Sequence, residues 1–154
     1  MADQELPTMQ RFNNTLTSIT ETYHRFAVRF HMSDMEYSIL DILLRLGGGC
    51  TQSSLALWLG CPRQTISSAC ERLVRQGIIE KQPGEGRRKI LTLTQEGRAY
   101  AGRTVGQVEK IEDAIFDGWT KQEREEFIRL TEKYMLSLKE EEKNFGQEGT
   151  GHED

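Results

Sequence analysis

The residues with evident binding chemistry lie mostly between Cys61 and Leu91. This segment contains seven Lys/Arg and three Asp/Glu residues, so its formal charge is +4, although the whole 154-residue chain carries −4. Clustered cations attract phosphate, because the local field acts over about 10 Å at moderate salt. The segment therefore predicts a nucleic-acid partner in spite of the acidic total.

Patterns typical of other chemistry are missing from the sequence. It contains no Walker A, HExxH, GxSxG or GxGxxG motif. His24, His31 and His152 are far apart and lack ligand spacing. The sequence predicts no catalytic residues, no metal site and no cofactor.

A predicted helix after Pro62 presents a polar outer face. Proline suits the start of a helix, where its missing N–H costs nothing. Ile66, Ala69, Cys70 and Leu73 form the inner face, and arginine and glutamine on the outer face could bond guanine and adenine. The candidates for DNA contact on this helix are Arg63, Gln64, Thr65, Ser67, Ser68 and Arg72. A solvated polar face would be the ordinary explanation for this helix alone.

A second cluster of cations follows a turn. Residues 78–81 and 89–93 read as two short strands, and the Pro83–Gly86 turn between them makes a β-hairpin. Arg87, Arg88 and Lys89 follow the turn, where an arginine can enter a minor groove. They could also simply protect a strand edge. A polar helix start and a basic hairpin on adjacent elements together favour double-stranded DNA.

The remaining segments read as helices with clear start and stop signals. Ser33 and Glu36 form a capping box, Thr51 opens a short helix that Gly60 closes, and Gly77 ends the helix after it. Thr94 is predicted to cap one long helix that runs past Ile115, and Thr120–Glu123 opens the last helix. The fold class is mainly α with a small β-hairpin wing.

The N-terminal segment carries a narrow apolar seam. Its large apolar residues recur with a 3.5-residue period, which is typical of a coiled-coil strand. We therefore expect a helix whose seam contacts a second subunit, in preference to one that packs only within its own chain. The seam residues are Phe12, Leu16, Ile19 and Tyr23, followed by Phe26 and Phe30.

Residues 35–97 resemble the MarR family of bacterial transcription regulators. The matching pieces are Leu55-Ala56 with Leu59-Gly60, Arg63 to Ser67, Leu73-Val74 with Gly77 to Ile79, and Arg87 with Leu93-Thr94 and Gly97. The resemblance implies one MarR-like domain over residues 1–154. In it, 34–98 form a winged helix-turn-helix, 8–32 and 99–143 are dimerisation helices, and 144–154 are a disordered acidic tail.

The resemblance also implies a function. It suggests a homodimeric, ligand-responsive repressor on a pseudo-palindromic operator, with Phe127, Leu130 and Tyr134 completing the dimer interface. Glu85 stands where the family usually has an Asp that orients the wing arginine, here Arg87. The effector would be small and often aromatic or phenolic, and the residues near its pocket would be His24, His31, Tyr37 and Trp58.

Other functions of the same fold stay open at this point. Cys50, Cys61 and Cys70 could make a redox-responsive regulator, and distant ligands could converge in a metal-responsive one. A winged helix could also serve as a protein-interaction module. Because no signal peptide and no membrane-spanning apolar run are visible, we expect a cytoplasmic protein.

Overall fold

The computed structural model describes residues 7–148, and the side chains of residues 146–148 are outside the description. Its internal contacts separate the chain into two compact units, Met1–Lys110 and Ile111–Asp154. The element order is α1 (Thr8–Arg29), α2 (Asp34–Leu46), α3 (Gln52–Leu59), α4 (Arg63–Arg75), β1 (Ile79–Pro83), β2 (Lys89–Leu93), α5 (Gln95–Arg103), α6 (Val105–Asp117) and α7 (Lys121–Glu148). None of the helices in 7–148 is both long and apolar enough to cross a membrane.

The predicted start and stop signals of α2, α3 and α4 are confirmed. At the start of α2, the Ser33 side chain accepts from the Glu36 N–H and the Glu36 carboxylate accepts from the Ser33 N–H, which completes the capping box. Thr51 caps α3 through the Ser54 N–H. Gly60 closes α3 with a φ of +61°, and Gly77 follows α4 with a φ of +71°, a conformation that favours glycine.

The two strands form the predicted antiparallel hairpin. Ile79 pairs with Leu93, and Pro83 with Lys89 at the far end, so Pro83 belongs to β1 and not to the turn. The base of the hairpin is tied to α5, because the Thr94 hydroxyl donates to the Gly77 carbonyl and accepts from the Gly97 N–H, at 2.7 and 2.9 Å. The wing therefore extends from an anchored base.

One core holds the helices and hairpin of this unit together. Its largest fully buried side chains come from α2, α3, α4, the hairpin and α6: Ile39, Leu40, Leu43, Leu55, Ile66, Leu73, Ile79, Leu91, Val105 and Val108. The helix-turn-helix and the wing thus share the same apolar centre. Its burial fixes which faces of α4 and the hairpin remain exposed.

The prediction of one long helix after Thr94 is wrong. Helix α5 ends at Arg103 and α6 begins at Val105, with Thr104 between them at a φ of −117° and a ψ of −96°. The Thr104 hydroxyl donates to the Tyr100 carbonyl, and the Gln107 side-chain amide donates to the Gly102 carbonyl. At the junction, these side-chain donors bond carbonyls that backbone N–H groups would bond in a continuous helix. Polar side chains can interrupt a helix in this way.

The second unit contains the end of α6 and helix α7. Phe116, Trp119 and Phe127 form a cluster of three rings with centroids 5.0 to 6.0 Å apart. Thr120 and Glu123 form the second predicted capping box. Helix α7 continues to Glu148, so residues 144–148, predicted to begin a disordered tail, are helical. Residues 149–154 of that predicted tail lie outside the described residues.

Candidate nucleic-acid interface

Helix α4 begins without a side-chain cap, as the proline at its start predicted. Pro62 occupies the N-cap position and makes no side-chain bond, while its carbonyl accepts from the Thr65 N–H at 3.0 Å. The first N–H groups of a helix have no partner within it and are suited to bind anions. Arg63, Gln64 and Thr65 are all exposed at this end. The helix therefore presents donors and a cation at its exposed start.

The inner face of α4 explains why these side chains point outward. Ile66 and Cys70 are fully buried, and Ala69 and Leu73 are only 1 % exposed. Ser68 is exposed and donates back to the Gln64 carbonyl at 3.0 Å. Ser67 is half-buried and so lies nearer the edge of the polar face than predicted.

A groove of about 600 Å³ joins the start of α4 to α3 and the wing. Four of the side chains that line it are cationic: Arg63 from α4, Lys81 from β1, and Arg88 and Lys89 at the start of β2. The N-terminal turn of α3 supplies Thr51, Gln52, Ser53 and Ser54 to the opposite wall. The structure thus brings together three of the predicted DNA-contact residues, which are up to 26 positions apart in sequence.

Sequence reasoning missed several residues of this groove. The sequence predicts Lys81 only as part of a strand and Thr51 only as a helix cap. The sequence places Lys81 in the first strand, but its position in the groove depends on the hairpin register, in which it pairs with Leu91. The wall formed by α3 could not be foreseen, because its position depends on how α3 packs on α4.

These cations are not neutralised locally. None of Arg63, Lys81, Arg88 and Lys89 forms an ion pair with a carboxylate of residues 7–145. A groove of unpaired cations holds a positive potential that its low-dielectric walls concentrate. This arrangement suits the phosphates of a nucleic-acid backbone.

Two predicted contacts differ in the structure. Arg72, expected to reach DNA, donates from Nε to Glu36 Oε1 at 3.0 Å and from Nη2 to Ser33 Oγ at 3.3 Å, while its side chain stays 44 % exposed. Glu85 makes no ion pair with Arg87; both are exposed at the wing tip, and the Glu85 backbone carbonyl accepts from the Arg88 N–H at 3.2 Å. An exposed ion pair gains little over the entropy of ordering two long side chains, so the expected orienting contact has little to maintain it here.

The four residues predicted near an effector pocket lie in different surroundings. The His24 ring bonds Asp34 Oδ1 at 2.9 Å and lines a groove with Leu16 and Thr20. Tyr37 is buried, with its ring 6.2 Å from that of Tyr23. His31 and Trp58 are exposed. A shared pocket for these four residues stays a prediction.

The thiols are placed differently from one another. Cys70 is fully buried and Cys50 is 7 % exposed, whereas Cys61 is half-buried. Burial raises the pKa of the Cys70 thiol to about 11 and also raises the pKa of Cys50. Since the thiolate is the reactive form, neither buried cysteine is suited to redox sensing. No group of three metal-ligating side chains occurs within the described part of the chain.

Comparison with known proteins adds to this geometry. Residues 32–90 match the sequence profile of the MarR family. A MarR family regulator from Neisseria meningitidis has a similar structure, with 23 % identity, a TM-score of 0.73 and coverage of 93 % of this chain and 99 % of that one. No curated protein matches the sequence.

Two further solved structures are similar and were determined as complexes. One is MepR of Staphylococcus aureus bound to DNA, with 19 % identity, a TM-score of 0.67 and coverage of 87 % of this chain and 99 % of that one. The other is the transcriptional regulator PcaV of Streptomyces coelicolor with its natural ligand, at 20 % identity, a TM-score of 0.63 and coverage of 90 % and 99 %. The profile match over residues 32–90 and the shared fold confirm the resemblance seen in the sequence: this region is similar to the winged helix-turn-helix of MarR family transcription regulators.

Proposed function

We propose that this chain is a sequence-specific DNA-binding repressor, that it acts as a homodimer on a pseudo-palindromic operator, and that a small effector releases it from DNA. The observation that carries the proposal is the groove in which Arg63, Lys81, Arg88 and Lys89 converge beside the uncapped start of α4. Catalysis has no part in this function, and a role on DNA suits the cytoplasmic location expected from the sequence.

The recognition helix and the wing have separate tasks in this proposal. The start of α4 enters a major groove, where Arg63 and Gln64 read base edges and Thr65, Ser67 and Ser68 bond bases or phosphates. The groove cations hold the phosphate backbone beside it, which fixes the orientation of the helix. Arg87, exposed at the wing tip, reaches toward the neighbouring minor groove.

Exposed apolar side chains support the dimer. On α1, Leu16 and Ile19 are 44 % and 45 % exposed, and they follow the seam predicted from the sequence. On α7, Phe127 and Leu130 are 44 % and 48 % exposed. Exposure of large apolar side chains to water is unfavourable, and packing against a second copy of the chain would bury them. A two-fold dimer would place two α4 helices in successive major grooves, about 34–36 Å apart.

Two lines of support for an effector come from outside the geometry of the site: the resemblance to the MarR family and one protein of similar structure. PcaV was solved with its natural ligand, which supports effector binding by a protein of this fold. We propose an aromatic or phenolic effector close to His24 and Tyr37, where α1 meets α2. Its binding would alter the distance between the two DNA-reading lobes of the dimer.

DNA selection followed by anisotropy tests the proposal. Duplexes are selected from a random pool with the full chain, and the selected sequence and the DNA directly upstream of the gene are compared with scrambled DNA over a salt series. We expect a two-fold-symmetric selected site. If all four groove cations of both subunits release counterions, log Kd should change with log salt at a slope of about 7. Equal, weak binding to every duplex would refute sequence-specific recognition and favour a protein-interaction module.

Three variants separate the tasks. Arg87→Ala should weaken binding to all duplexes, whereas Gln64→Ala should change the preferred base with a smaller effect on overall affinity. Arg98→Ala is the control, because Arg98 is equally exposed but lies on α5, outside the groove. An Arg87→Ala variant with the affinity of the wild type would show that the wing does not contact DNA.

A further inference from the structure

A buried carboxylate links the recognition helix to the start of α2. Glu36 is only 7 % exposed, and both of its oxygens are engaged. Oε1 accepts from Arg72 Nε at 3.0 Å, and Oε2 accepts from the Ser33 N–H and hydroxyl at 2.8 Å each. Arg72 completes the ring of contacts by donating from Nη2 to Ser33 Oγ at 3.3 Å.

This cluster differs in kind from the rest of the contact between α2 and α4. The other contacts are apolar, with Ile39 and Leu40 of α2 and Ala69 and Leu73 of α4 in one core. Apolar packing has no preferred direction, so it defines the tilt of α4 less strictly than an oriented hydrogen bond does. A guanidinium bonded to a fixed carboxylate is directional, because its donors lie in one plane.

The cluster is also connected to the other helices that surround it. Tyr100 of α5 donates to the Phe30 carbonyl at the end of α1, at 3.2 Å. Burial raises the pKa of Tyr100, and the nearby charge of Glu36 raises it further. Burial raises the pKa of Glu36, but its hydrogen bonds from Ser33 and Arg72 lower it below the ordinary value, so the carboxylate is ionised at neutral pH. Through these contacts and its proximity to Tyr100, Glu36 of α2 is linked to α4 and α5.

We propose that Glu36 and Arg72 are positioning residues that set the tilt of α4, and that affinity and specificity for DNA depend on them although Arg72 does not contact phosphate. The inference rests on the proposed function. Arg72 is eight or nine residues from Gln64 and Arg63, which is about 13 Å along a helix. A tilt of about 10° at the cluster would then move the start of α4 by about 2 Å, more than a base contact tolerates.

The test is a double-mutant cycle in the full chain. Glu36→Gln has one acceptor oxygen in place of two, so it cannot satisfy Arg72 and Ser33 together. Arg72→Gln removes the other partner. We expect each variant to bind the selected duplex about tenfold more weakly, equal to about 1.4 kcal/mol. The double variant should lose no more than either single variant, because one contact is broken in all three.

Two further measurements distinguish positioning from direct contact. The slope of log Kd against log salt should be the same in Arg72→Gln and wild type, whereas loss of a phosphate contact in both subunits would lower it by about 1.8. Arg72→Lys keeps the charge but lacks the planar donors, so we expect it to bind as weakly as Arg72→Gln. Arg75→Gln, the control for loss of one exposed charge on the last turn of α4, should leave discrimination between selected and scrambled DNA intact.

The outcomes separate the inference from the function on which it rests. A lower salt slope in Arg72→Gln, near wild-type binding by Arg72→Lys, or additive losses in the double variant would overturn the positioning role while leaving DNA binding established. Wild-type protein that selects no duplex would refute the proposed function, and the inference with it. Circular dichroism and thermal unfolding of each variant identify any that fails to fold, and Arg72→Lys, the mildest change, then decides the result.

Discussion

A methyl group at Gly97 should destabilise the protein severely. Gly97 is buried in the first turn of α5, where its N–H bonds the Thr94 hydroxyl at 2.9 Å. A Cβ at this position would lie 2.7 Å from the Ile78 carbonyl carbon and closer still to its oxygen. Ordinary contacts between such atoms are about 3.5 Å or more. The obstruction is backbone and cannot rotate away, so the base of the wing or the start of α5 must move.

The size of the effect follows from what that movement breaks. Overpacking alone costs about 1–3 kcal/mol. Displacement of Ile78 also strains the bonds by which Thr94 ties the hairpin to α5, from its N–H to the Ile78 carbonyl at 3.1 Å and from its hydroxyl to the Gly77 carbonyl at 2.7 Å. Each is worth about 1 kcal/mol. We therefore expect Gly97→Ala to lower the free energy of unfolding by about 3 kcal/mol.

The same helix offers a matched control. Gly102 lies in α5 as well, and a Cβ there would meet no atom within 4 Å. Gly102→Ala should stabilise the protein by up to about 1 kcal/mol, since alanine is the better helix former. Thermal unfolding at a fixed protein concentration should place Tm about 6–12 °C lower for Gly97→Ala and slightly higher for Gly102→Ala. A Gly97→Ala variant that melts with the wild type would show that α5 does not approach Ile78 this closely.

Three further results are expected from other parts of the chain. A thiol reagent at pH 8 should modify Cys61 quickly, and Cys50 and Cys70 only when the protein unfolds; fast reaction of all three would contradict their burial. Burial raises the pKa of the Glu36 carboxyl, but the hydrogen bonds that it accepts from Ser33 and Arg72 lower that pKa below 4.5 overall. The ionised Glu36 therefore contributes its full stabilisation above pH 4.5, and this stabilisation is lost as the pH falls through the lowered pKa. Glu36→Gln should accordingly show a shallower loss of stability in acid than the wild type, as followed by urea unfolding at several pH values. Leu130→Asp should shift the protein toward monomer in analytical ultracentrifugation, and an unchanged dimer would exclude that face of α7 from the interface.

Local signals in the sequence predicted most elements of the fold. The capping box at Ser33, the caps at Thr51 and Thr94 and the glycine stops each depend on a few neighbouring residues, so a sequence can indicate them without knowledge of packing. The break at Thr104 has no such signal. Threonine is tolerated within helices, and here the break depends on its hydroxyl and on the Gln107 amide, which take carbonyls that a continuous helix would use.

The sequence predicted those residues of the candidate site whose exposure follows from their position around a helix. It did not predict those whose position depends on how one element packs against another. The spacing of the apolar residues in α4 correctly predicted that Arg63 and Gln64 are exposed. Arg72 lies on the outer part of the same helix, but it faces α2, whose distance and angle no local pattern specifies. Lys81 was missed for the converse reason, since only the register of the hairpin places it beside Arg88 and Lys89.

This difference changes how the charge of the basic segment should be counted. The sequence gives residues 61–91 a formal charge of +4, but the carboxylate that neutralises Arg72 belongs to Glu36, outside that segment. Arg72 therefore adds little to the field that DNA would meet. The cations available to phosphate are those that line the groove and occupy the wing, and none of them is held by a carboxylate of residues 7–145. We propose that this segment uses arginine in two ways: Arg63, Arg87 and Arg88 attract the phosphate backbone, and Arg72, which is ion-paired with Glu36, fixes the angle at which the recognition helix meets it.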